Sequence, residues 1–109
     1  MRSTYDCPVE LALDLLGGKW RVVILARIKE GPLRYGDLRR LVPRMSDKML
    51  TQRLHELVER GLVVRRGAAY RLTARGESAR AVLESLYRWG GDVAPQLGVV
   101  LETAPPIGR

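Results

Sequence analysis

The chemistry of this chain is concentrated in one short stretch, where Lys48, Thr51, Gln52 and His55 follow Ser46. Leu50, Leu54, Leu57 and Val58 keep the i, i+4, i+7, i+8 rhythm of a helix with one core face. Wound at roughly 100° per residue, that helix leaves Lys48, Gln52, His55, Glu56 and Glu59 on its other side, with Thr51 at the edge. An ammonium there donates to guanine acceptors, and a side-chain amide pairs in two places with adenine. The hydroxyls of Ser46 and Thr51 suit a phosphate or a base edge, and His55, one turn further on, reaches either. The C-terminal half of the same side is acidic. A phosphate backbone rejects Glu56 and Glu59, so the amino end must enter a groove first, which is also the polarity that the helix dipole favours.

The charge balance points to the same partner. The chain has 109 residues and a formal charge of +7. Residues 31–75 carry 11 Lys/Arg against 4 Asp/Glu, and the remainder carries 8 of each, so one local substructure holds the whole excess. With a pI near 10.3, such a chain is expected to bind a polyanion. Arg34, Arg39, Arg40, Arg44, Arg65, Arg66 and Arg71 flank the polar helix in sequence. Arg53 lies at its edge, and Lys19 sits in a turn between two helices. All but Arg40 are taken as candidate phosphate contacts. Arg outnumbers Lys 16 to 3; a forked donor suits phosphate, although a GC-rich genome produces the same bias.

Local patterns predict the elements that hold these residues. Pro8 suits the first position of a helix over 8–16, and Gly17-Gly18 end it. A second helix over 19–30 stops at Gly31-Pro32, and a third over 35–42 turns Leu38 and Leu41 inward. Ser46 caps the fourth, over 46–60, and Met45 and Leu50 have the spacing of a hydrophobic staple. Strands over 62–66 and 69–72 turn at Gly67. Thr73 caps a last helix over 74–97, with Ala79, Val82, Leu83, Leu86, Val93 and Leu97 as its apolar positions. Gly90-Gly91 are expected to kink or loosen it. Helix, turn, helix, then hairpin describes a mainly α winged helix-turn-helix with a small β-hairpin wing. By length it is one domain, residues 1–98, with a flexible tail over 99–109. A last helix too apolar for one small core to cover argues for a homodimer.

Several motifs resemble the HxlR-type bacterial transcription regulators: CPVELALDLLGGKW from Cys7, GPLRYGDLRR at 31–40 and MSDKMLTQRLHELVERGLVVR at 45–65. The resemblance covers about residues 5–90. It implies a cytoplasmic, dimeric winged-helix regulator, leaning toward repression, that binds a palindromic or pseudo-palindromic duplex operator. It also implies that the first and last helices build the dimer, and that Ser46, Lys48, Thr51, Gln52 and Arg53 lie on the DNA-facing helix. The wing departs from the pattern. Members of the family usually carry a longer ribbon with a proline at its tip, whereas here it is VVRRGAAYRLT. Arg65, Arg66 and Arg71 are therefore expected on backbone phosphates and not in the minor groove.

The one cysteine, Cys7, stands just before a helix, and a helix amino end favours an anion there while Asp6 and Glu10 oppose it. Some relatives use a cysteine near this position to sense oxidants or electrophiles. The alternatives are thus a thiol switch released by a small molecule or oxidant, or a small buried residue at the dimer seam that Tyr5 covers. Trp20 and Trp89 are expected in the core or the dimer interface, with a ligand pocket as the alternative. Nothing orients the one His and one Cys as a nucleophile–base pair, and no close ligand cluster suggests a metal. No enzyme activity and no cofactor are expected. No apolar run reaches the roughly 18 residues that a membrane span needs, and the amino end lacks a signal-peptide core. A protein-interaction module that has kept the fold but lost DNA binding is the remaining alternative, and the arginine-rich ribbon opposes it.

Overall fold

The computed structural model describes residues 2–102. Six helices, three strands and a final 3-10 turn follow one another among them. They are α1 (Pro8–Leu16), α2 (Gly18–Ile28), β1 (Leu33–Arg34), α3 (Tyr35–Leu41), α4 (Asp47–Glu59), β2 (Val63–Arg66), β3 (Ala69–Leu72), α5 (Ala74–Ser78), α6 (Arg80–Val93) and the 3-10 turn Pro95–Leu97. This is the expected winged helix-turn-helix.

The first, second and fourth helices begin at residues that their sequence marks. Pro8 opens α1, and Gly17, at φ +56°, closes it while admitting α2 immediately afterwards. A side chain at Gly17 would have to stand where the Arg21 guanidinium lies. Ser46 caps α4, its Oγ accepting a hydrogen bond from the Met49 N–H at 3.1 Å. Met45 and Leu50 are both buried, so the staple across that cap is formed.

The core gathers Ile24, Leu25 and Ile28 of α2, Leu38 of α3, Leu50, Leu54 and Leu57 of α4, and Leu62, Val63 and Leu83. Two residues expected in it lie at its edge: Leu41 is 37% exposed and Val58 40%. Each is the outermost member of its helix's apolar stripe, where the neighbouring helices no longer reach.

β2 and β3 form the wing, with Val63 opposite Leu72 and Arg66 opposite Ala69. Gly67 and Ala68 make the tip; Gly67 has φ +60°, as a two-residue hairpin turn requires. A third strand was not expected. β1 adds to the other side of β3, Leu33 opposite Tyr70 and Arg34 opposite Ala69, giving the order β1-β3-β2.

The last helical stretch also differs from expectation. It is not continuous over 74–97. It breaks at Ala79 (φ −91°, ψ 0°) into α5 and α6, and ends in the separate 3-10 turn. The expected interruption at Gly90-Gly91 does not occur; α6 passes through both. The break falls earlier because α5 is anchored to the wing. The Thr73 Oγ1 donates to the Gly61 carbonyl at 2.5 Å and accepts from the Gly76 N–H at 3.1 Å, and the Thr73 N–H donates to Leu62 O. Gly76 is buried so closely that a Cβ on it would stand 2.2 Å from Leu62 O.

Of the tail expected over 99–109, residues 103–109 lie outside the described residues. Val99 donates its N–H to Ala94 O at 2.9 Å, and Glu102 pairs with Arg44.

Candidate nucleic-acid interface

The exposed face of α4 is the centre of the site. Lys48, Thr51, Gln52 and His55, with Asp47, line one shallow open depression. Ser46 lies at its amino end, exposed, its hydroxyl accepting from Met49 N–H and keeping its own proton to donate. The four residues expected to meet bases beyond Ser46 are therefore side by side, on a helix whose opposite face is locked by Leu50, Leu54 and Leu57.

Asp47 was not among the expected site residues. Its Oδ1 accepts from Tyr35 Oη at 2.7 Å and lies 2.9 Å from Arg39 Nε. Burial first, and the Asp47 hydrogen bond second, hold the Tyr35 hydroxyl above its ordinary range. Arg39 also donates to the Met45 carbonyl. The first turn of α4 is thus tied to α3 by a three-residue polar cluster. The available signal was an acid at the first position of a helix, which complements the dipole. Nothing local indicated its partners on α3.

The cations divide into tethered and unpaired groups. Arg53 donates to Glu56 at 2.8 and 3.0 Å, and Arg21, from α2, donates to the same carboxylate at 2.8 Å. Glu56 was expected to face solvent as a repelling charge. Instead two guanidiniums enclose it and leave its side chain 19% exposed. That correction comes from Arg21, which is 35 residues away in sequence. Glu59 keeps its exposed place, 3.4 Å from His55 Nε2, a contact that is ionic when the imidazole is protonated. Arg40 pairs with Asp37, and Arg44 with Glu102. Lys19 Nζ stands 4.6 Å above the Trp20 ring.

Lys48, Arg34, Arg66 and Arg71 make no ion pair among the described residues, and all four are exposed. Arg65 donates to Gly67 O at 3.1 Å and lies over the Tyr70 ring. The pairing of Arg34 with Ala69 carries the arginine of β1 onto the wing sheet, across Ala69 from Arg66. The wing thus carries exposed arginines on a sheet whose strand β2 follows α4 directly in the chain, the kind of flanking cation that groove docking uses for phosphates.

A family model described as HxlR-like helix-turn-helix matches residues 15–97. The chain belongs to this family. HxlR-like proteins are DNA-binding transcription regulators, and this chain is one of them. It is 36% identical over 99 residues to the uncharacterized HTH-type transcriptional regulator YkvN of Bacillus subtilis (strain 168), covering 84% of each chain. Among solved structures it is similar to the redox regulator HypR in its reduced form. There the TM-score is 0.75 at 29% identity, covering 84% of this chain and 98% of the other. It is also similar to quinone-bound YodB from B. subtilis, with a TM-score of 0.70 at 34% identity, covering 79% and 99%.

Cys7 of this HxlR-like chain is exposed, not buried. Tyr5 does not direct its hydroxyl to it; that hydroxyl donates to Asp14. Trp89 is exposed on α6, while Trp20 is half-buried against the core. Among the described residues no helix is long and apolar enough to cross a membrane.

Proposed function

We propose that this regulator binds a palindromic or pseudo-palindromic duplex as a homodimer, with the amino end of α4 in the major groove of each half-site. The carrying observation is the shared exposed face of Lys48, Thr51, Gln52 and His55. Lys48 and Gln52 read base edges. Thr51, His55 and Ser46 contact bases or the adjacent phosphates. Arg34, Arg66 and Arg71 are the primary phosphate contacts, being exposed and without an ion pair among the described residues. Lys19, Arg44, Arg53, Arg65 and Arg39 exchange or share their present partners with phosphate. Occupying an operator in this way leads toward repression.

The apolar surface that a single chain leaves open supports the dimer. Val82, Leu86 and Trp89 repeat at i, i+4, i+7 on α6 and are 48%, 45% and 67% exposed; Val9 and Leu13 form a similar pair on α1. A second copy covers such a stripe at less cost than water does. Two α4 helices related by a two-fold axis then address half-sites about 34–36 Å apart.

A gel-shift series over ionic strength, run with a duplex selected from a random pool, tests the reading. Affinity falls steeply with salt if several phosphates are neutralised; a flat response would exclude it.

A second reading makes DNA release thiol-controlled. It is favoured by the exposure of Cys7 at the start of α1 and by the similarity to a redox regulator and to a quinone-bound protein. Cys7→Ser separates the two readings. A variant that leaves DNA under oxidant just as the parent does assigns the response elsewhere.

A further inference from the structure

A cavity of about 410 Å³ lies between the amino half of α2, the turn joining α3 to α4, and the segment Val100–Glu102. That volume is within the range of small-molecule sites, roughly 300–1,000 Å³. Its apolar lining comes from all three sides: Trp20 and Val23 from α2, Leu41 from the end of α3 with Pro43 from the turn after it, and Leu101 from the returning chain. Among the described residues, the cations Lys19, Arg27 and Arg44 and the carboxylate Glu102 also line it. Arg44 and Glu102 pair at 2.5 Å with side chains 70% and 71% exposed, so this pair stands at the mouth. The chain's own carboxylate thus occupies one cation of a basic, apolar-walled cavity.

We propose that this cavity binds a small amphiphilic carboxylate with a flat apolar body. The body lies against Trp20 and Val23, and the ligand's carboxylate replaces Glu102 as the partner of Arg44. Apolar walls select the body, and the Arg44 guanidinium with the Lys19 ammonium on the same cavity selects the anion. Val42 to Arg44 lie in the turn of the helix-turn-helix, so occupancy bears directly on how α4 is presented. This effector role rests on the DNA-binding reading; the binding site does not.

The test uses the full chain without DNA. 2-Naphthoate is titrated while the two indole N–H resonances, Trp20 and Trp89, are followed by NMR, with 2-naphthamide as the neutral control. The expected result is a saturable shift of Trp20 with Trp89 unmoved, and binding of the amide weaker by about tenfold or more. Arg44→Gln, an exposed substitution that leaves the core intact, should remove that preference for the acid. A silent Trp20 at millimolar naphthoate, equal binding of acid and amide, or a shift confined to Trp89 overturns the site. Added to the operator complex, naphthoate should change operator affinity by the same factor by which operator changes naphthoate affinity. Binding at Trp20 with operator affinity unaltered overturns the effector role. A chain that takes up naphthoate yet shifts no duplex contradicts the DNA reading and leaves the cavity assignment standing.

Discussion

Arg39 Nε lies 2.9 Å from Asp47 Oδ1, so a cation of α3 holds the first turn of α4, the proposed reading helix. Arg39 has a second bond, to the Met45 carbonyl just ahead of the Ser46 cap. Arg34, five residues earlier, has neither bond and is exposed.

These two arginines should therefore behave differently. Arg39→Ala should lower both operator affinity and thermal stability, the latter by about 1 kcal/mol. Arg34→Ala should lower affinity alone and reduce the slope of log affinity against log salt by about 1. Melting curves and salt-dependent gel shifts check both. Identical melting of Arg39→Ala and the parent would mean that the Asp47 tie contributes nothing to folding.

Lys48→Ala and Gln52→Ala should each narrow the gap between operator and random duplex by about 1–3 kcal/mol. Competition titrations read that gap. Discrimination that survives both changes would move base reading to another face.

The dimer has its own test. Leu86→Asp places a charge in the middle of the α6 stripe, and sedimentation should show a monomer whose operator affinity falls by two decades or more, about 3 kcal/mol. A dimer that persists would exclude α6 from the interface.

Gly76→Ala should destabilise the fold by about 1–3 kcal/mol, because the new Cβ meets the Leu62 carbonyl oxygen. Denaturant unfolding measures it. Unchanged stability would show that α5 slides away from the wing freely.

At the amino end, the Tyr5 hydroxyl, and to a lesser degree Arg60 and Arg2, hold the Asp14 carboxyl below its ordinary range. A carboxyl with a depressed folded-state value contributes stability that is present above its unfolded value, near 4. That contribution is lost as pH falls through the lower folded value. An NMR titration of Asp14 should show the low midpoint, and Tyr5→Phe should return it toward normal. A midpoint already at the ordinary position in the parent would remove the pair.

How far the sequence revealed this molecule depends on the range of the interactions involved. α4 was readable from local pattern alone: Ser46, the Met45–Leu50 staple and the leucine rhythm all act within one or two turns. The polar face of Lys48, Gln52 and His55 followed from the same rhythm. The two-residue strand β1 has no periodicity to read and exists only because Tyr70 and Ala69 offer it an edge. The Arg21–Glu56 pair joins two helices across 35 positions, so Glu56 looked solvated when read along its own helix. The glycine pair at 90–91 suggested a break by composition, yet the actual break follows from the Thr73 contacts with Gly61 and Leu62. The sites of Leu41 and Val58 were misplaced for a related reason: helical periodicity gives the direction of a side chain but not how far the covering layer extends.

Thr73 binds the carbonyl at the end of α4's turn, the root of the ribbon and the start of α5 in one place. The two parts assigned to DNA in the proposed complex are consequently set like the jaws of a caliper with its screw tightened. In the proposed complex, the distance from the bases assigned to Lys48 and Gln52 to the phosphates assigned to Arg66 and Arg71 is then set within the protomer. Under the proposed dimer, adjustment to operators of different spacing has to come from how its two protomers are mounted on each other.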